Sequence, residues 1–361
     1  MSNTVRKNIG VIGLGIIGCG IAANLRRKGF PVYVWSRSPR SVPNFVGAPG
    51  EVAEICNYIQ IFVSDDDALL QTAEQLTGKL TPRHLVLAHS TVAPSSMRAA
   101  AEIVERRKAR FVEAPFTGSK AAAEKGELVY YVCGNEGALR EARPILEASS
   151  KGIIEIGPTI GHASAIKIAT NMITAASVQA TAEALALVQA LGLPLEKFVD
   201  AMRSNASHST TLGMKLPKML NRDFEPHFSA KHMLKDMQIA NQIGLSNYLD
   251  LGVTAAARDQ LLEQMHWGHG DDDYSVVARK YLQEPPGVVA EELQLDEDDG
   301  QGNAEMVASA TEVETGNQQG TSPELSPTPS LGVASTGAKE TTQLRRSFLK
   351  QLLSRLSSGK E

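Results

Sequence analysis

The feature that most constrains this chain is a glycine turn set between an apolar run and a helix-forming run. Asn8 to Gly13 carries Ile9, Val11 and Ile12, reads as a short buried strand, and leads straight into Gly13-Leu14-Gly15-Ile16-Ile17-Gly18. Ile16 to Lys28 then reads as a helix stopped by Gly29, and Pro31 to Trp35 as a second strand. Strand, glycine turn, helix and strand in this order form a dinucleotide-binding unit. Gly13 permits the tight turn, Gly15 lets a pyrophosphate approach the backbone, and Gly18 lets the helix pack on the strand. The helix start offers free N–H groups and the positive end of its dipole to phosphates. A purely structural glycine turn is the alternative.

The end of the second strand bears on which dinucleotide. An acid about 20 residues after the fingerprint would hold the ribose 2′-hydroxyl of NAD. Here the residues are Trp35-Ser36-Arg37-Ser38, with no acid among them. A guanidinium forks onto a 2′-phosphate that a carboxylate would repel, and Ser36 and Ser38 add hydroxyl donors. NADP(H) is therefore the expected cofactor, with NAD(H) possible. The alternative leaves Arg37 as an exposed loop residue.

The strand-helix alternation continues, with strands read at Ile59 to Val63, His84 to Ala88 and Arg110 to Glu113. Strands at Leu128 to Cys133 and Gly152 to Ile156 complete this half. Repeated strand-helix units imply a mostly parallel sheet with helices on both faces. Ligands of such sheets sit at the carboxyl ends of the strands, which puts Val63, Ser64, Ser90 and Thr91 on the cofactor rim. Asp65 to Asp67 read as a helix start, where carboxylates cap free N–H groups, rather than as a metal site. In the loop from Glu113 to Lys120, Thr117-Gly118-Ser119 precedes a helical pattern. Backbone N–H groups at such a point suit a small carboxylate; an ordinary capped loop is the alternative.

Gly157-Pro158-Thr159-Ile160-Gly161 then breaks the chain before a run free of Gly and Pro from Ala163 to Leu191. This run is rich in Ala and reads as one long helix, apolar nearly all round and therefore expected to be buried. Lys167 and Asn171 are four apart and share a face. A buried helix that keeps a Lys and an Asn together lines a cleft between two domains, with Lys167 as a catalytic cation; the bland reading is a snorkelling lysine. Beyond Gly192 only helical patterns recur: Leu195 to Arg203, Leu216 to Leu220, Phe228 to Gly244 and Gly252 to Gly268. His266, His269 and Asp271 to Asp273, with glycines among them, read as a capped turn, with no metal.

Four motifs in fixed order, GLGIIG, EAPFTGS, GPTIGHASAIKIATN and KHMLKDMQIA, resemble the β-hydroxyacid dehydrogenase family over roughly residues 8 to 283. The resemblance implies that Lys167 is catalytic and Asn171 assists it. It also implies that Thr117, Gly118 and Ser119 bind a substrate carboxylate, that Lys235 reaches the nicotinamide side of the cleft, and that Thr91 contacts cofactor. Arg37 is similar to the arginine of NADPH-preferring members. The chain departs from many members at Glu113, where they carry aspartate, at Thr117-Gly118-Ser119, where they carry Ser-Gly-Gly, and in the added charge of Lys120. Members are typically dimers or tetramers, so a homodimer or homotetramer is expected.

The expected architecture is an α/β Rossmann-type N-terminal domain with a parallel sheet (1–160) and an all-helical C-terminal domain (161–283) joined by the long interdomain helix. A disordered linker (284–341), rich in Gly, Ser, Thr, Pro and Glu, and a basic amphipathic helix (342–357) follow. Leu344, Phe348, Leu352 and Leu356 give that last piece an apolar stripe expected to dock on a protein surface. A net charge of -4 gives no sign of nucleic-acid binding. No stretch approaches the roughly 20 apolar residues of a membrane span. Three scattered cysteines, Cys19, Cys56 and Cys133, suggest a reduced, cytoplasmic protein. The expected activity is NADP(H)-dependent interconversion of a small β-hydroxyacid and its semialdehyde, or reduction of a small carboxylate-bearing aldehyde or keto acid. An imine reductase and a non-catalytic NADP-binding interaction module are the rivals.

Overall fold

A computed structural model describes residues 8–282. The sheet half alternates β1 (Ile9–Ile12), α1 (Ile16–Arg27), β2 (Val32–Trp35), α2 (Pro49–Ile55), β3 (Tyr58–Ile61), α3 (Asp66–Leu76), β4 (Leu85–Ala88), α4 (Pro94–Glu105) and β5 (Arg110–Glu113). Then come β6 (Phe116–Thr117), α5 (Lys120–Lys125), β7 (Leu128–Cys133), α6 (Glu136–Glu147) and β8 (Ser150–Gly157). Five helices follow: α7 (His162–Ala190), α8 (Leu195–Arg203), α9 (Thr210–Leu220), α10 (Ala230–Ser246) and α11 (Gly252–His266), closed by a 3-10 turn at Tyr274–Ala278. The linker 284–341 and the helix 342–357 lie outside the described residues.

The sheet order is β2-β1-β3-β4-β5-β7-β6, with β8 beside β7. β1 to β5 are mutually parallel, β7 runs antiparallel to β5 and β6, and β8 is parallel to β7. β1, β3 and β4 are buried at every position because helices cover both faces. Each strand divides its side chains between two cores. Val11, Leu85, Leu87 and Val112 pack with α1 on one face. Ile12, Ile61, Val86 and Phe111 pack with α2, α3 and α4 on the other. Each buried Ile or Leu contributes roughly 1.5–3 kcal/mol. The helical half has its own core around Val178, Leu185, Met219, Met233 and Met237.

Local chemistry sets the helix starts. Asp65, Asn135 and Ser209 accept from backbone N–H groups at the starts of α3, α6 and α9, and Pro49 and Pro94 occupy the first turns of α2 and α4.

Three expectations need correction, and two short elements went unread. The helix read at Leu216–Leu220 begins at Thr210, because Ser209 caps it and Pro217 is accommodated inside. The two-residue β6 and the 3-10 turn carry too little pattern to be read. β8 begins at Ser150, two residues before the expected Gly152. Finally, α7 is not buried all round. Ile166, Ile173 and Leu187 are exposed at 42%, 71% and 62%, so one apolar stripe of this helix is uncovered in a single copy of the chain. Among the described residues no helix is long and apolar enough to cross a membrane.

Candidate active site

The parallel strands β1 to β5 place their carboxyl ends on one edge, where the sequence-derived candidates gather. Gly13 adopts a φ of +96°, and a Cβ there would lie 1.9 Å from the Phe62 carbonyl oxygen. A Cβ on Gly18 would lie 1.9 Å from the Gly13 carbonyl oxygen, so α1 sits hard against the turn. A methyl group added at Gly15 would meet nothing within 4 Å, which leaves open space above the start of α1. No side chain caps that helix and its first turn holds no acid. Leu14 is buried beneath the turn and Ile16 is exposed beside it; Ile17 is half-buried against the core. Open space over uncapped N–H groups is what a pyrophosphate requires, so these residues fit a dinucleotide.

Ser36, Arg37 and Ser38 follow β2 in a loop, with Arg37 and Ser38 exposed. Across the rim stands Asp65. Burial pushes its carboxyl up, but the Ser64 hydroxyl, the Ala68 N–H and the charges of Lys235 and Arg37 together hold it below the usual carboxylate range. Arg37 and Lys235 are thus close enough to the same carboxylate to act on it. Val63 donates its N–H to Ser90 Oγ at 3.0 Å, joining the ends of β3 and β4, and Ser64 Oγ donates to the adjacent Asp65 at 2.5 Å.

Beneath this rim lies an aromatic floor. His89 stacks on Phe62 with ring centroids 4.3 Å apart, and Phe62 lies 6.3 Å from Phe116. The floor therefore links the glycine turn to the Thr117–Ser119 loop. Burial holds His89 neutral, lowering its pKa to about 3, and its Nδ1 donates to the Ala114 carbonyl at 2.8 Å. In that loop Thr117 is exposed and pairs with Val129 in β7. Gly118 has a φ of +141° and leaves no room for a methyl group, which would lie 2.6 Å from Leu128 Cδ2. Ser119 Oγ accepts from the Ala122 N–H and so caps α5, while its own proton is left for another acceptor.

Glu113 has a different place from the one its position in the loop suggested. Its side chain is fully buried, with Oε2 accepting from the Gly161 N–H and Oε1 from the Ser164 N–H, each at 2.5 Å. A carboxylate at a helix N-terminus satisfies orphan donors and complements the dipole. The end of β5 is thereby clamped to the start of α7, and β5 runs on into the Thr117–Ser119 loop. This clamp brings the loop and the helix that bears Lys167 to the same end of the sheet.

On α7, Lys167 is partly buried and its Nζ donates to Asn171 Oδ1 at 2.9 Å. Asn171 Nδ2 donates to Asp236 Oδ2 on α10 at 2.6 Å. Asp236 is fully buried, and its Oδ1 accepts from Lys235 Nζ at 2.8 Å. Lys235 Nζ also donates to the Thr91 carbonyl at the end of β4. One chain of bonds thus runs from the reactive-type ammonium through both helices to the sheet rim. Burial lowers the Lys167 pKa to about 8, with Asp236 opposing and Lys235 reinforcing the shift. An amine with that proton affinity exchanges a proton readily near neutrality.

Residues 8–157 match the NAD binding domain of 6-phosphogluconate dehydrogenase, and residues 161–281 match the NAD-binding domain of NADP-dependent 3-hydroxyisobutyrate dehydrogenase. The chain is 30% identical over 279 residues to glyoxylate/succinic semialdehyde reductase 1 of Arabidopsis thaliana, covering 74% of this chain and 96% of that one. The chain belongs to the β-hydroxyacid dehydrogenase family. These are NAD(P)-dependent oxidoreductases that act on the CH–OH group of hydroxyacids. Mycobacterium tuberculosis 3-hydroxyisobutyrate dehydrogenase, solved with L-serine, superposes with a TM-score of 0.69 at 25% identity, covering 76% of this β-hydroxyacid dehydrogenase and 99% of that chain. The human cytokine-like nuclear factor N-PAC is 29% identical over 287 residues, and there the match spans 52% of the relative's length.

Two groups of this dehydrogenase escaped the sequence reading. Asp236 was visible only as the neighbour of Lys235, and Glu113 only as the start of a loop. The available signal for Asp236 was that it is the single acid of α10, beside Lys235 and among buried apolar residues. Most of the His and Asp residues read as a capped turn after α11 are engaged in ion pairs and hydrogen bonds. Asp273 accepts from Lys215 Nζ at 2.7 Å through both oxygens and from Ser275 Oγ at 2.7 Å. Asp271 pairs with Lys231, and His269 lies 3.2 Å from Asp272.

Proposed function

We propose that the chain reduces a small aldehyde or keto acid bearing one carboxylate, with NADPH as the preferred donor and NADH usable, and runs in reverse as a β-hydroxyacid dehydrogenase. The observation that carries this reading is the partly buried Lys167 ammonium, with its pKa near 8, bonded to a neutral amide oxygen. A hydrogen-bond donor of that kind stabilises charge developing on a carbonyl oxygen and then yields its proton to it; in the reverse direction the neutral amine takes the hydroxyl proton. Asn171 orients the ammonium. Thr117, the Gly118 backbone and the Ser119 hydroxyl grip the carboxylate. Gly13, Leu14, Gly15, Ile16, Ile17 and Gly18 hold the pyrophosphate, with Val63, Ser64, Thr91 and Lys235 along the rim and Ser36, Arg37 and Ser38 around the 2′-phosphate. Bound there, the nicotinamide supplies or takes the hydride.

The substrate class follows from a grip for a single carboxylate beside a proton donor. Glyoxylate, succinic semialdehyde, tartronate semialdehyde and methylmalonate semialdehyde all fit it, and the Arabidopsis relative is named for the first two. A spectrophotometric screen of these four with NADPH and NADH is the direct test. Turnover of at least one, faster with NADPH, is expected. Inertness toward all four, or turnover of a cyclic imine instead, would end this reading.

The uncovered apolar stripe on α7 supports a homodimer or homotetramer, since exposed contiguous apolar surface of this kind marks interaction sites. Light scattering that reads a single 38.7 kDa chain would remove that proposal. Three free cysteines, two of them buried, suit a reducing compartment such as the cytoplasm.

A further inference from the structure

We propose that Asp236 is a positioning residue for the reaction: it fixes which way the Asn171 amide faces and makes the two lysines of the cleft unequal. This rests on the assignment of Lys167 as the proton donor. An amide has one accepting and one donating end, and a carboxylate only accepts. With Asp236 Oδ2 2.6 Å from Asn171, the NH2 group must face Asp236, which turns the carbonyl oxygen to Lys167 Nζ at 2.9 Å. While charged, Lys167 only donates and favours the same orientation; once it has lost its proton and can accept, the carboxylate is what keeps the amide from turning its donating end toward the amine.

The second consequence is electrostatic. Asp236 binds Lys235 directly at 2.8 Å, and Lys235 also donates to the Thr91 carbonyl, so its ammonium is held in place by two acceptors. Lys167 meets the same carboxylate only through the neutral amide. The buried anion therefore anchors one lysine and leaves the other free to lose its proton.

Several of the other charges on the helices packed against α7 have partners of their own. On α9, Lys215 is bound by Asp273 of the 3-10 turn and Lys218 by Asp223. On α10, Lys231 is bound by Asp271, while burial and the neighbouring lysines lower the His232 pKa. On α11, Arg258 is bound by Asp259, and Glu263 by Lys280. At the start of α7, Glu113 is bonded to backbone N–H groups. Asp236 and Lys235 are the charges that act on Lys167.

Two substitutions test this with opposite signs. Asp236→Asn keeps the size of the side chain and an acceptor for Asn171 but removes the anion. Lys235→Met removes the fixed cation. The pH dependence of reduction would be measured for both, together with pH-dependent acylation of the Lys167 amine in the cofactor-free protein, quantified by mass spectrometry. The Asp236→Asn limb is expected to move down by about one pH unit and the Lys235→Met limb up by a similar amount, with labelling moving likewise. A purely structural role would lower turnover and leave both midpoints in place, which overturns the proposal. Should Asp236→Asn not fold, the same two midpoints in Asp236→Ser decide: a downward shift upholds the role of Asp236, and unmoved midpoints overturn it. Normal turnover in Lys167→Ala would instead overturn the assignment of the donor; an inactive Lys167→Ala with unmoved midpoints overturns only the role of Asp236.

Discussion

The ammonium of Lys167 donates to the amide oxygen of Asn171 at 2.9 Å, one turn further along the same helix. The pair is local in sequence, yet its orientation depends on a carboxylate 65 residues away. Replacing Lys167 by Ala removes the proton donor and leaves the glycine turn intact. Turnover is expected to fall by about 10²–10⁴-fold, while fluorescence titration gives an unchanged Kd for NADPH. Normal turnover in this variant would refute the assignment.

The same lysine sets a pH dependence. Its pKa stands at about 8. Reduction needs the protonated amine, so kcat/KM for an aldehyde should be level below that value and fall as pH rises through it. Oxidation of the hydroxyacid needs the neutral amine and should rise through the same value. Initial rates across the neutral-to-alkaline range in both directions check this; two limbs moving the same way would contradict it.

Arg37 stands exposed on the loop after β2, near Asp65. Its exchange for Asp removes a cation and adds a repulsive charge where a 2′-phosphate would lie. KM for NADPH is expected to rise by about 10–100-fold, the scale of a charge-assisted hydrogen bond, with KM for NADH little changed. Equal effects on both cofactors would remove the preference.

Glu113 serves structure. In Glu113→Gln one side-chain oxygen is replaced by a donor that faces another donor, and the charge at the start of α7 is lost. A destabilisation of about 1–2 kcal/mol is expected from the lost cap and dipole interaction. Thermal melts should show a Tm lowered by a few degrees; a Tm at or above that of the unaltered chain would contradict the clamp.

Much of the fold was legible because its signals are local. The glycine turn announces itself within six residues, and strands covered on both faces read as short apolar runs, as at Ile9–Ile12 and Leu85–Ala88. Lys167 and Asn171 stood out as polar groups on an apolar helix. The illegible parts are contacts between distant segments. Glu113 reaches Gly161 across 48 residues, and no periodicity encodes that. α7 misled for a different reason: hydrophobic pattern shows that a face avoids water, and it does not say whether the cover comes from the same chain. The start of α9 was missed because its cap, Ser209, lies in a polar stretch without hydrophobic period.

The Glu113 clamp has a further consequence for redesign. Lys167 stands six residues beyond Gly161, about 9 Å along the helix axis, so its height above the nucleotide edge is inherited from β5 rather than from the helices that follow. A different helical half, spliced in downstream of Asn171 to admit a bulkier acid, should keep the amine in register with the sheet as long as Glu113, Gly161 and Ser164 are retained and the new segment supplies an acid where Asp236 now stands.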